Sequence, residues 1–182
     1  MARFTAYSRT HSTPANSPWN QNLWTVGSRL YNLRSKLGEN ECIFGENMYA
    51  EHSIHYDKLN SDFYMFSACK ENEDGSVQFY NWEDTLLMSE VLNIPTVPVI
   101  ADRIFTSEKE FQSFIEGVMK EPSAYGPEKE GVVIRIADSF NDTDFSKCVL
   151  KYVRANHVQA DEHWTKTWKR NIINYEVDKS FK

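Results

Sequence analysis

Apolar residues recur at helical spacing over residues 18–37, where Trp19, Leu23, Val26, Leu30, Leu33 and Leu37 form one stripe. The spacing predicts a helix there, with Ser17 as its cap, Pro18 in its first turn and Gly38 at its C-terminal end. Lys36 then falls in the last turn, where a cation meets the negative end of the peptide dipoles. Alternation with period two marks strands instead. It predicts a short strand at 2–8, with Phe4 and Ala6 on one face, and longer ones at 41–50 (ECIFGENMYA) and 62–69 (DFYMFSAC). Glu-Asp-Gly at 73–75 is a turn signal, and Val77 to Tyr80 returns as a hairpin partner. Asn81 opens a helix over 82–93, with Leu86, Leu87, Val91 and Leu92 expected inward. Two prolines exclude a helix interior from IPTVPVI, residues 94–100. Ser107 and Glu110 make a capping-box pattern that opens a helix to Met119. After a loop at 121–129, GVVIRI (131–136) and CVLKYVR (148–154) read as strands joined by a polar, Asp-rich connection. The tail at 155–170 is expected to be partly helical, with Trp164 and Trp168 packed into a core. Strands and helices mix without regular βαβ alternation, so the expected class is α+β with mainly antiparallel sheet, in one domain over residues 1–182.

Composition adds exclusions. Apolar residues make up 41% of the 182 and aromatics 14%, which is incompatible with global disorder. No apolar run approaches a membrane span, and the N-terminus has no apolar leader core, so a cytoplasmic protein without a membrane partner is expected. The three cysteines, Cys42, Cys69 and Cys148, are far apart in sequence and read as reduced thiols. A net charge of −6 argues against bulk coating of nucleic acid. The charge is uneven, however. Residues 1–36 hold five Lys/Arg and no Asp/Glu, residues 37–146 hold seven basic against 22 acidic, and residues 147–170 hold six basic against two acidic. Basic ends that meet in space would make a phosphate-facing surface that the total conceals.

A few residues carry candidate chemistry. GENMYA sets Glu46 and Asn47 beside a glycine on a strand, EGVVIRI sets Glu130 at the mouth of a strand, and KCVLKYVR sets Lys151 in a strand with Arg154 nearby. FYMF offers aromatic faces. A carboxylate for a metal ion, a lysine for a phosphate and a ring for a base would make a nucleotide pocket. Taken singly, a strand Glu commonly serves a solvated face, a strand Phe the core and a strand Lys edge protection. His52, His55, His157 and His163 read as polar loop residues, because no carboxylate or Cys completes a tetrahedral set at diagnostic spacing.

In order and wording, IFGENMYAEHSIHYDKLNSDFYMFSA, IPTVPVI, EGVVIRI and KCVLKYVRANHVQADEHW resemble the ATP-dependent RNA ligases of the covalent nucleotidyltransferase superfamily, over roughly residues 3–175. The resemblance implies an adenylyltransferase domain of mainly antiparallel sheets flanked by helices. It implies ATP as cofactor (AMP after transfer), Mg²⁺ or Mn²⁺, and RNA or other polynucleotide ends as partners, sealed 5′-phosphate to 3′-hydroxyl. It also implies roles: adenine against Phe66, with Phe63 as the alternative, ribose at Glu46, metal and nucleotide at Glu130, α-phosphate at Lys151, and a further phosphate contact at Arg9 in YSRTHS, which Arg3 does not match.

The sequence departs from the family pattern in two places. The nucleophile of these ligases is a lysine in a K-x-D-G-type motif that forms lysyl-AMP. No such motif occurs here, and Lys36-Leu37-Gly38-Glu39 is a superficial likeness too close to Glu46. The chain is therefore expected to begin just after the nucleophile motif and to be inactive in self-adenylylation by itself. A non-catalytic nucleotide or RNA-end binding fragment, or one half of a split ligase whose other part carries the lysine, are the alternatives. The second lysine often seen in the last strand is here Val153, and Arg154 would point to the opposite face.

Overall fold

The computed structural model describes residues 4–9, 13–25, 27–51, 54–154 and 168–174. Arg3, Val26, His52, His157, His163, Trp164 and most of the expected tail helix lie outside the described residues.

Within the stripe at 18–37, a 3-10 turn at Pro18–Asn20 leads into the helical residues Asn22–Thr25 (α1) and Gly27–Lys36 (α2), on either side of Val26. Gly38 does not adopt a left-handed cap. Its N–H is taken by the Glu41 carboxylate at 2.8 Å, which closes the turn into the next strand. Lys36 sits in the last turn of α2 as expected and donates to the carbonyl of Val91. Of the strand expected at 2–8, the described residues 4–8 form no strand; Tyr7 makes an isolated bridge to Pro14 instead, and the Ala15 N–H donates to the Ala6 carbonyl at 2.8 Å.

Strands β1 (Glu41–Asn47), β2 (Phe63–Glu71), β3 (Val77–Phe79) and β5 (Phe140–Asn141) form one antiparallel sheet in the order β1-β2-β3-β5. β4 (Gly131–Arg135) and β6 (Val149–Val153) form a second, two-stranded antiparallel sheet. Three helices complete the set: α3 (Trp82–Leu92), α4 (Glu108–Val118) and the short α5 (Phe145–Cys148). The class is α+β, as the pattern predicts.

The four-stranded sheet divides the molecule. Its first face carries Ile43, Phe63, Met65 and Ala68, which pack with Leu33 of α2, with Leu92 of α3 and with Ile94. Its second face carries Cys69 and Phe79, which pack with Phe140, Cys148 and Val149. Val149 belongs to β6, so the two-stranded sheet covers this second face. At the other end of the second face, Tyr64 packs with Met48, Leu59, Tyr56 and Tyr125.

α3 corrects one expectation. Asn81 caps it by accepting from the N–H of Asp84, but its buried positions are Thr85, Ser89 and Leu92, with Met88 half-buried. Leu86, Leu87 and Val91 are exposed. The buried stripe 85–88–89–92 keeps helical spacing; hydrophobicity alone selects the wrong side because two small polar residues occupy it. Ser107 caps α4, while the Glu110 carboxylate bonds Thr106 and Arg103 rather than the Ser107 N–H. Residues 168–174 are used in a way the sequence does not signal. Asn171 is buried and donates its side-chain amide to the carbonyls of Met48 and Ala50, tying this late segment to the end of β1. Trp168 packs against the Tyr49 ring, at 6.0 Å between centroids.

Candidate active site

Of the proposed residues, Glu46 lies on the second face of the large sheet, and Glu130 and Lys151 belong to the small sheet that covers it or to its entry. Glu46 pairs with Tyr64 across β1 and β2, and paired residues share a face, so Glu46 lies on the side of Tyr64 and Phe44. Lys151 shares its face of β6 with Val149, which packs against the large sheet. Lys151 pairs with Val133 of β4, and its Nζ donates to Glu130 Oε1 at 3.1 Å. Both side chains remain about half exposed.

Gly131 makes this juxtaposition possible. A Cβ there would collide with the carbonyl oxygen of Tyr152 and lie 2.9 Å from the Val153 Cα. Glycine therefore lets the start of β4 close against β6, and Arg154 N–H completes the closure by donating to Glu130 O at 3.1 Å. Behind Glu130, the buried Lys129 donates its ammonium to the carbonyl of Val118, at the C-terminal end of α4, at 2.9 Å.

Tyr56 lies near both carboxylates. Burial raises its phenol above the ordinary value, and the negative charges of Glu130 and Glu46 add to the shift, so both lie within electrostatic reach of one hydroxyl. Nothing in the sequence marks Tyr56; it comes from the loop between β1 and β2.

A bulge separates the two candidate aromatics. Phe44 pairs with Ser67 but Gly45 pairs with Met65, so Phe66 is the extra residue of β2 and stands 40% exposed. Phe63 is committed elsewhere: its ring covers Gly45, and the Arg29 guanidinium lies 5.7 Å from its centroid. Arg9 is exposed in the N-terminal turn. That segment packs through Phe4 on the helix-bearing first face, the side opposite to Glu46. Arg154 pairs with Glu128 and Lys147 with Asp144, so neither joins Lys151.

Two further groups were not evident from sequence. Arg135 shares its face of β4 with Val133 and donates to the Tyr80 carbonyl at 2.7 Å, lying over the rings of Trp82 and Phe140. With the bond from Trp82 N–H to the Ala137 carbonyl, it clamps the small sheet to the large one. On the first face, Asn47 is held by Asn22 and by the carbonyl of Trp19, and Asn22 also donates to Asp62. Asp62 is in turn paired with Arg29. This buried polar network fixes the backbone beside Glu46.

The family model described as RNA ligase matches residues 1–153, which include every one of these groups except Arg154. The chain belongs to the RNA ligase family. No curated protein and no solved structure matches it. For this RNA ligase family member, the nucleotidyltransferase-type domain expected from the motifs agrees with the antiparallel sheets and flanking helices. Among the described residues, no helix is long and apolar enough to cross a membrane.

The donor set also bears on a metal. Among the described residues no three His, Cys, Asp or Glu side chains cluster to hold an ion. Mg²⁺ commonly rests on one or two carboxylates together with phosphate oxygens and waters. Glu130, half exposed beside Lys151, fits one carboxylate of that arrangement, with the nucleotide supplying the rest.

Proposed function

We propose that this chain forms the adenylyltransferase domain of an ATP-dependent RNA ligase, which seals a 5′-phosphate to a 3′-hydroxyl through enzyme-AMP and an AMP-capped strand. The observation that carries the reading is the Glu130–Lys151 pair, formed between the residue that opens β4 and the adjacent strand β6, with Tyr56 within electrostatic reach of both Glu130 and Glu46. Attack on the α-phosphorus builds negative charge on its oxygens, and a preorganised ammonium there lowers the barrier. Lys151 exchanges Glu130 for an α-phosphate oxygen when ATP is bound. Mg²⁺ or Mn²⁺, held in part by Glu130, would supply the remaining charge neutralisation. Glu46 accepts from the ribose hydroxyls. Phe66 offers its ring to the adenine, a role for which Phe63 is already covered. Arg9 has its phosphate contact from family resemblance alone. Tyr56, lying near both carboxylates, stays protonated and can donate to either.

The 182 residues contain no K-x-D-G sequence. In this reading the nucleophilic lysine is supplied from outside these residues, in the same polypeptide or in a separate chain. The absence of that motif also favours a second reading, a fragment that binds nucleotide or RNA ends without catalysis. Addition of a K-x-D-G-bearing segment separates the two, since only a split or interrupted ligase regains labelling.

Calorimetry with ATP and AMP in the presence of Mg²⁺ tests the pocket. Binding is expected, and Lys151→Ala should weaken it about tenfold to a hundredfold, the value of one hydrogen bond to a charged group. No heat at millimolar nucleotide would remove the reading. With ATP radiolabelled at the α-phosphate, this chain alone should give no acid-labile labelled band. A band that survives Lys36→Ala would place a nucleophile within the chain.

A further inference from the structure

The fold reunites the cysteines that the sequence scatters. Cys42 of β1 is directly paired with Cys69 of β2, so their side chains share one face, and Cys148 packs against the same cluster. Cys42 is exposed and Cys69 is buried. Directly opposed residues of an antiparallel pair have Cα atoms about 4.5 or 5.5 Å apart, and both values lie inside the window of about 4.4–6.8 Å spanned by disulfides. A bond can therefore close between them with side-chain rotation and little backbone movement.

We propose that Cys42 and Cys69 are a peroxide-responsive thiol pair that closes to a disulfide across β1 and β2. In the first step the Cys42 sulfur attacks one oxygen of a hydroperoxide. The O–O bond breaks, Cys42 becomes a sulfenic acid, and hydroxide or alkoxide leaves and takes a proton. In the second step the Cys69 sulfur attacks the Cys42 sulfur, the S–O bond breaks, and the Cys69 proton leaves with the oxygen as water. For hydrogen peroxide the balance is two thiols and one peroxide to one disulfide and two waters. The two electrons given up by the sulfurs reduce the peroxide.

The order of steps follows from burial. Desolvation, reinforced by the neighbouring Cys42 sulfur, pushes the Cys69 thiol up to about 11, so it stays protonated near neutral pH. The exposed Cys42 meets the oxidant and the sheltered Cys69 resolves it. The bond would fix β1 to β2 beside the Phe44/Gly45 bulge, on the two strands that carry Glu46 and Phe66. The chemistry itself needs no nucleotide and stands apart from the ligase reading.

The test treats the folded chain with hydrogen peroxide, blocks residual thiols and maps peptides without reduction. The expected result is an intramolecular Cys42–Cys69 peptide, reversed by dithiothreitol, with a higher thermal midpoint in the oxidised protein. Cys42→Ser, at an exposed position, should abolish both the link and the shift, and Cys148→Ser should leave both in place. A link that includes Cys148, dimers joined through Cys42, or sulfinic acid at Cys42 with no crosslink would each overturn the proposal.

Discussion

Asp62 gives the sharpest test of what holds the Glu46 strand. It is 1% exposed, pairs with the Arg29 guanidinium and accepts from Asn22 at 3.0 Å. Asp62→Ala removes the counter-charge from an arginine that is itself only 9% exposed. Breaking a buried ion pair by deleting one partner costs about 3–5 kcal/mol, because the surviving charge stays desolvated. Arg29 keeps the face of Phe63, 5.7 Å away, which recovers part of the loss. The expected cost is therefore about 3 kcal/mol, at the lower end of that range. Against a typical total of about 5–15 kcal/mol it is a large fraction. Urea unfolding followed by tryptophan fluorescence reads it as a fall in midpoint at unchanged slope. The double variant Asp62→Leu/Arg29→Met should regain most of the loss, because a hydrophobic pair of similar volume needs no desolvation. A cost below about 1 kcal/mol for Asp62→Ala, or a double variant no better than the single one, would refute a desolvated pair.

Other outcomes follow from single contacts. Gly45→Ala places a Cβ against the Phe63 ring and 2.7 Å from the backbone oxygen of Tyr64, so unfolding should show a loss of about 1–3 kcal/mol with perturbed near-ultraviolet dichroism. Leu92→Ala, at a 1% exposed position, should cost about 2–5 kcal/mol, whereas Leu87→Ala, 59% exposed, should stay within about 0.5 kcal/mol; equal effects would contradict the observed face of α3. The Glu110 carboxyl is held below its ordinary value, first by the backbone N–H and hydroxyl of Thr106 and then by Arg103. A lowered carboxyl contributes stability that is present above its unfolded value and is lost as pH falls through the folded one. Glu110→Gln should therefore lower stability at neutral and alkaline pH, with the difference from the unsubstituted protein vanishing at low pH where Glu110 is protonated, as thermal melts across pH would show.

Legibility differed by kind of feature. The β1–β2 pair, the β3 return and α4 with its Ser107 cap follow from local alternation and capping chemistry, and they form nearly where the pattern puts them. The described residues 4–8 form no strand, since alternation over so few residues cannot supply a partner. Hydrophobic spacing misplaces the buried face of α3 because Thr85 and Ser89, satisfied by the carbonyls of Asn81 and Leu86, can be buried while leucines are left outside. Lys36 was legible as a helix-end cation. Tyr56, Arg135, Asp62 and Asn171 were not, since their roles come from partners distant in sequence.

By itself the sequence determined the chemistry on offer: a glutamate in GEN, a glutamate before GVVI, a lysine in the last strand, aromatic rings, and no K-x-D-G lysine. It determined the element types wherever local hydrogen bonding and period decide. Only the tertiary structure decided which groups meet. Glu130 reaches Lys151 because Gly131 lets β4 close on β6, Phe66 stands out because a bulge interrupts β2, and Cys42 faces Cys69 because the register pairs them. Those choices depend on long-range register and close packing, which no local window of residues contains.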